Sequence, residues 1–114
     1  MIDPQIELVE YVNESGKNIF NSWLTKLKDR TARARIRVRL NRVRLGNFGD
    51  CKTVVGAINE LRIDYGPGYR IYFAREDSTI AILLCGGIKR SQSKDIKLAG
   101  KYWSDYKRRI RWEK

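Results

Sequence analysis

Leu61-Arg62-Ile63-Asp64-Tyr65-Gly66-Pro67-Gly68-Tyr69-Arg70-Ile71-Tyr72-Phe73 alternates apolar and polar residues on both sides of a Gly-Pro-Gly turn. That is the pattern of two strands, each burying one face, folded back on each other. It predicts a hairpin with strands over 61–65 and 69–74. With Tyr65 facing Tyr69, Asp64 faces Arg70, Ile63 faces Ile71, Arg62 faces Tyr72 and Leu61 faces Phe73. One face is then apolar, and the other gathers Arg62, Asp64, Arg70 and Tyr72: two guanidiniums, a carboxylate to hold one of them, and a phenol. A one-residue slip would exchange the faces and bury two arginines in place of Leu61, Ile63 and Phe73, at far greater cost. A solvated face with a cross-strand ion pair worth about 0.2–1 kcal/mol fits the same pattern.

Beyond the hairpin, Thr79 to Cys85 is nearly all apolar, as expected of a strand covered on both faces, and Gly86-Gly87 is expected to end it. Gly86-Gly87-Ile88-Lys89-Arg90 then reads either as a glycine-rich turn that lets backbone amides and cations approach a phosphate, or as a plain basic turn into a helix. It lacks the spacing of the nucleotide-binding phosphate loop. After Ser91, the positions Ile96, Ala99, Trp103, Tyr106 and Ile110 predict a last amphipathic helix with a basic end at Lys107, Arg108, Arg109 and Arg111. Trp103, Tyr106 and Trp112 are interleaved with cations and suit base stacking, although helical spacing favours packing for Trp103 and Tyr106.

Towards the N-terminus, Gln5 to Val12 reads as a first strand ended by Asn13-Glu14-Ser15-Gly16. From Asn18, the set Ile19, Phe20, Trp23, Leu24 and Leu27 is a helical stripe. Thr31 to Leu45 is ambiguous. Ala32 to Leu40 alternates at period 2, as a half-buried strand would, while Ala32, Ile36, Leu40 and Val43 also recur at helical spacing. Its length and its Ala/Arg content favour a helix, with Thr31 as cap and Gly46 as stop. Strand, two helices, a mostly antiparallel sheet and a final helix make an α+β arrangement.

The chain has 114 residues, enough for one domain, and its 24 Lys and Arg against 13 Asp and Glu give a net charge of +11. Such an excess points to polyanionic partners and away from a neutral metabolite. The basic field begins after the first element: residues 1–16 carry Asp3, Glu7, Glu10 and Glu14 and no base, whereas Lys26 to Arg44 carries cations against Asp29 alone. The chain contains 0 His, which excludes Ser-His and Cys-His nucleophiles and His-ligated zinc. Cys51 and Cys85 read as thiols rather than a disulfide framework. No apolar run approaches the roughly 20 residues of a membrane span, and the acidic start lacks a basic signal region, so a cytoplasmic location is expected.

The segments LRIDYGPGYRIYF at 61–73, ILLCGGIKRSQSKDIKLA at 82–99 and KYWSDYK at 101–107 resemble the RelE/ParE superfamily of bacterial toxins, and within it the HigB-type addiction module killer branch. The resemblance covers nearly the whole chain, 1–114 as a single domain. It implies a RelE-like fold: one mostly antiparallel twisted sheet, with an N-terminal strand, two helices, three or so further strands and a C-terminal helix. It also implies the toxin of a type II toxin-antitoxin module, which stops translation by cutting messenger RNA on the ribosome without metal or cofactor. The implied partners are that message, a helix-turn-helix antitoxin, and operator DNA bound only by the toxin-antitoxin complex, with no membrane involved. Position by position, the resemblance implies catalytic roles for Arg70, Arg62, Lys89, Arg90, Lys52 and Asp95. Where relatives often carry Tyr or His in the last helix, this chain has Ile96, which cannot move a proton.

In RNA cleavage the 2′-OH attacks the adjacent phosphate, so a site must take one proton, stabilise a dianionic phosphorane and return a proton to the leaving 5′ oxygen. Arg70 and Arg62 suit a bidentate phosphate clamp. Lys89 is the expected base, with Asp95 or Lys94 as alternatives, and Tyr72 or Tyr65 the expected acid. Lys94, Tyr72, Tyr65, Arg35, Arg39 and Arg42 are the expected RNA contacts, although the arginines also fit a solvated helix face. Two other classes stay open: a ParE-like inhibitor of DNA gyrase, and an RNA- or ribosome-binding module without catalysis.

Overall fold

A computed structural model places the hairpin strands at the middle of a five-stranded mixed sheet; it describes residues 5–113, with side chains over 5–110. In chain order the elements are β1 (Glu7–Glu10), α1 (Ile19–Lys26), α2 (Arg30–Arg44), β2 (Cys51–Val55), β3 (Ile58–Ile63), β4 (Tyr69–Arg75), β5 (Ile80–Ile88), a 3-10 turn (Lys89–Ser91) and α3 (Gln92–Glu113). The sheet order is β1-β5-β4-β3-β2, with β1 parallel to β5 and every other pairing antiparallel. The fold is α+β. Four strands follow the helices; β2, a short and largely exposed strand at the sheet edge, has too weak a pattern to be seen in the sequence.

The expected 31–45 helix forms as α2 over Arg30–Arg44, but the cap is Asp29, whose side chain accepts from the Ala32 amide, and not Thr31. This capping holds the Asp29 carboxyl below its ordinary range. Gly46, at φ +89°, ends α2. The helical period wins because Ala32, Ile36, Leu40 and Val43 fall on one buried stripe while the arginines between them stay at the surface or half-buried.

The helices lie on opposite faces of the sheet. On one face α1 and α2 pack Phe20, Leu24, Ile36 and Val43 onto Leu61, Ile63, Tyr69, Ile71 and Phe73. On the other, α3 packs Ala99 and the half-buried Ile96, Tyr102 and Trp103 with Ile58, Tyr72, Ile82 and Leu84. Each large aliphatic side chain so buried contributes about 1.5–3 kcal/mol.

The hairpin register differs from the expected one by two residues. Ile63 pairs with Tyr69, Arg62 with Arg70, Leu61 with Ile71 and Glu60 with Tyr72. The turn is therefore larger than Gly66-Pro67-Gly68 alone, and Asp64 and Tyr65 belong to it rather than to β3. A shift of two preserves the faces, so the apolar set and the Arg62/Arg70/Tyr72 set stay as predicted, but Asp64 leaves the polar face and is exposed.

A second correction concerns Gly86-Gly87, which lies inside β5 and forms no phosphate-binding turn. Between Tyr72↔Cys85 and Phe73↔Leu83 the ladder skips Leu84, a bulge that reverses the alternation of β5 from there on. Gly86 consequently meets Trp23 on the α1 face and Gly87 meets Asp95 on the α3 face. A Cβ at Gly86 would lie 2.3 Å from the Trp23 ring, and one at Gly87 would lie 1.9 Å from the Asp95 carboxylate. Close approach, not a turn, requires both glycines.

Candidate functional site

The ladder lines up two rows of side chains on the α3 face. Lys52 stands opposite Glu60, Glu60 opposite Tyr72, and Tyr72 opposite Cys85. Beside this row, Arg62 stands opposite Arg70, and Arg70 opposite Gly87. Because α3 packs on β5 and β4, the β2 and β3 end of the face keeps Lys52 exposed and Arg62 half-buried.

Glu60 lies at the centre and is 0% exposed. Its Oε2 accepts from the Tyr72 hydroxyl at 3.1 Å and from the Gln92 amide at 2.7 Å. Its Oε1 faces Arg70 Nε at 3.8 Å, an ion pair too long for a hydrogen bond, and neither atom has another partner. Burial, reinforced by the neighbouring Glu60 carboxylate, pushes the Tyr72 phenol well above its ordinary range. Tyr72 therefore keeps its proton, donates it in a hydrogen bond to Glu60, and is not exposed to serve as an acid.

The Arg70 side chain is largely buried, 11% exposed, and its outer end reaches the hairpin turn. A Cβ at Gly68 would lie 3.7 Å from Arg70 Nη1 and 3.3 Å from Lys89 Cβ, and the Lys89 amide donates to the Gly68 carbonyl at 2.7 Å. The turn, Arg70 and Lys89 thus converge at one corner, with Lys89 and Arg90 exposed. Arg62 is held by Asp50, Nη2 to Oδ1 3.0 Å and Nε to Oδ1 3.2 Å. Its carbonyl accepts from Arg39 Nη1.

Asp95 is 8% exposed, takes a hydrogen bond from Ser91 Oγ, and fills the space over Gly87. The Cys85 thiol donates to the Asp95 carbonyl at 3.7 Å, and burial, with Asp95 beside it, pushes that thiol up to about 12. Asp95 thus holds the start of α3 against β5. Lys94, next to it, is exposed.

The structure brings Arg62, Arg70, Lys52, Tyr72 and Asp95 to one sheet face, with Lys89 and Arg90 at its corner. Tyr65 and the α2 arginines lie in the other layer. Tyr65 packs against the α1/α2 core with Arg35 over its ring at 4.6 Å. Arg39 is tied to the Phe48 and Asp50 carbonyls at 3.0 and 3.3 Å, and Arg42 is exposed. Trp103 and Tyr106 stack on each other at 5.7 Å as part of the α3 packing, and Lys107 sits 5.3 Å from the Trp103 ring centre. The side chains of Arg111 and Trp112 lie outside the described residues. Glu60, Gln92 and Asp50 escape a reading of the hairpin that begins at Leu61. The signal for Glu60 is the alternation continued backwards, since Ile58, Glu60 and Arg62 share one face.

Among the described residues no cluster of three or more Cys, Asp or Glu can hold a metal ion, and no helix is long and apolar enough to cross a membrane. No protein-family profile matches the chain. An uncharacterized protein of Haemophilus influenzae strain Rd is 54% identical over 80 residues, covering 70% of this chain and 81% of the relative. The chain belongs to the family of that protein.

Proposed function

We propose that this protein is the toxin of a type II toxin-antitoxin module, of RelE/HigB type, and cuts messenger RNA on the ribosome. The observation that carries this reading is the cross-strand pair Arg62↔Arg70, with Arg70 held from beneath by a fully buried carboxylate and Lys52, Lys89 and Arg90 exposed around it. Two arginines on paired strands supply forked guanidiniums of the kind that match the oxygens of a phosphodiester and of the dianionic phosphorane formed from it. The absence of His and the net charge of +11 agree with a nuclease that works by cations.

In the reaction, the 2′ oxygen attacks phosphorus and loses its proton while the bond from phosphorus to the 5′ oxygen breaks and that oxygen gains one. The products are a 2′,3′-cyclic phosphate and a 5′-hydroxyl, with no net redox change. Arg70 and Arg62 hold the non-bridging oxygens. Lys89 and Lys52, both exposed, are the groups assigned to take the 2′ proton and to return one to the 5′ oxygen. Tyr72 and Asp95, committed to Glu60 and Ser91, hold the site together. The implied antitoxin, of helix-turn-helix class, would act by covering this cationic face, and operator DNA would be bound by the pair.

The test is a purified translation reaction with a defined message, in which new 5′ ends are mapped with and without ribosomes. Arg70→Lys keeps a cation beside Glu60 but lacks the fork, and cleavage is expected to fall by about 10²–10³-fold. Intact message with translation still blocked would favour a non-catalytic ribosome-binding module. An undisturbed reaction together with DNA breaks in the presence of gyrase would favour the ParE-like alternative.

A further inference from the structure

We infer that Glu60 is a positioning residue: held by Tyr72 and Gln92, its carboxylate fixes the Nε edge of Arg70 and so aims the Nη edge at the bound phosphate. The inference deepens the RNA-cleavage reading and rests on it for the identity of the phosphate, but its geometry is independent of that reading. Glu60 is the most deeply buried carboxylate of the polar face, at 0% exposure, and a charge is not left there without partners that stabilise it. Two neutral donors supply half of what it needs, both on Oε2 at 3.1 and 2.7 Å. Oε1 is left without a hydrogen bond, and so is the one atom it faces, Arg70 Nε, at 3.8 Å.

An arginine has two edges for bidentate contact, Nε with one Nη and the two Nη together. Glu60 Oε1 faces the Nε of the first at ion-pair distance, 3.8 Å. The second extends to the Gly68 and Lys89 corner, where Nη1 lies. Fixing one edge against a buried anion removes rotamer freedom from a long side chain before any substrate arrives. The Glu60 carboxylate is itself fixed from two elements, β4 through Tyr72 and α3 through Gln92. Arg70 is consequently oriented by strand and helix together, not by the hairpin turn it borders.

The experiment compares Glu60→Gln and Gln92→Met with the wild type and Arg70→Lys. Three readouts are taken: ribosome-dependent cleavage, binding of a non-cleavable RNA with a 2′-deoxy group at the cut position, and the NMR signal of the Arg70 Nε–H. Glu60→Gln is isosteric and keeps a carbonyl oxygen for Tyr72 and Gln92, so the fold is retained. Removing a negative charge next to a cationic site would by itself tighten RNA binding. The positioning role requires the opposite: cleavage down by about 10–100-fold, RNA bound no more tightly, and an Arg70 Nε–H signal that broadens or exchanges faster. Gln92→Met, which removes one hydrogen bond and no charge, should move all three in the same direction by a few-fold. An unchanged Nε–H signal, or tighter RNA binding with full cleavage, overturns the inference. If the wild type leaves the message intact, the nuclease reading itself fails, while the NMR signals still report whether Glu60 orients Arg70; normal cleavage by Arg70→Lys would instead remove the need for the Arg70 fork.

Discussion

The two faces of the sheet come from the same alternating strands and end differently. On the α1/α2 face every strand residue from Leu61 to Phe73 that points inward is apolar, and two helices close over it. On the α3 face a single helix covers β5 and β4, and the uncovered end carries Lys52, Arg62 and Arg70 around a buried glutamate. Both faces carry a core, but only the second also bears charges, whose mutual repulsion and desolvation the packing of the two must offset. From Leu61 to Phe73 the odd positions of β3 and β4 are thus apolar while the even ones include the arginine pair, and under the proposed function neighbours such as Ile71 and Arg70 should respond to substitution in opposite ways.

The sharpest way to break that division is to compare Ile71 with Arg62. Ile71→Ala opens a cavity in the closed face and should destabilise by about 2–5 kcal/mol in urea denaturation. Arg62→Ala loses only a partly exposed ion pair with Asp50 and should cost less than about 1 kcal/mol, while cleavage of message falls at least 10-fold. Equal stability losses at the two positions would mean that the faces are not separate in role.

A smaller effect sharpens the comparison at the bulge, where neighbouring glycines serve opposite faces. Gly86→Ala and Gly87→Ala should each cost about 1–3 kcal/mol, because Trp23 or the Asp95 carboxylate must move. Only the second should also displace the start of α3 and lower activity. Thermal melts and cleavage assays on the pair would separate packing from site geometry.

The gentlest probe is pH. Tyr11, on the α3 side, is pushed up to about 12 by burial and by its hydrogen bond to Asp105, and Tyr72 is raised as well. A folded-state value above the unfolded one means that the stability these phenols contribute is fully present below about pH 10 and is lost as pH rises through the folded value. Asp29 and Asp105 are held low, the first by the Ala32 amide at the α2 cap and the second by Tyr11. Their contribution is present above about pH 4 and is lost as pH falls through the lowered values. Cys85, also pushed up to about 12, begins to lose its share above the ordinary thiol value of about 8.5, so stability should be flat only between about pH 5 and about pH 8. Tyr11→Phe should blunt the alkaline loss and, by removing the hydrogen bond to Asp105, the Asp105 share of the acid loss, leaving that of Asp29.

Much of this was legible in the hairpin segment because face assignment depends only on parity. Leu61, Ile63, Ile71 and Phe73 against Arg62, Arg70 and Tyr72 survive a two-residue change of register, so the cationic pair could be read without knowing the turn. The partner of the pair could not. Asp64 was the nearest carboxylate in a tight-turn register, whereas the larger turn brings Glu60 into the ladder and leaves Asp50 to reach Arg62. Gly86-Gly87 has the sequence pattern of a turn, but what requires glycine there is Trp23 and Asp95, contacts across layers that local pattern does not carry. The α2 arginines could be counted in the sequence, but only the helix phase determines that Arg39 serves as a brace for the β2–β3 end and that Arg35 covers Tyr65.

The pairing of Glu7 with Ile80, and of Glu60 with Gln92, has a consequence in time. During synthesis a chain becomes available from its N-terminal end, and β1 must wait for a strand that comes most of the chain later. The Glu60 carboxylate between the arginines waits longer still, for the first turn of the last helix. A partly made chain therefore carries the cations without the geometry, and the ordered arrangement of Glu60, Tyr72, Gln92 and Arg70 forms only when most of the chain has been translated.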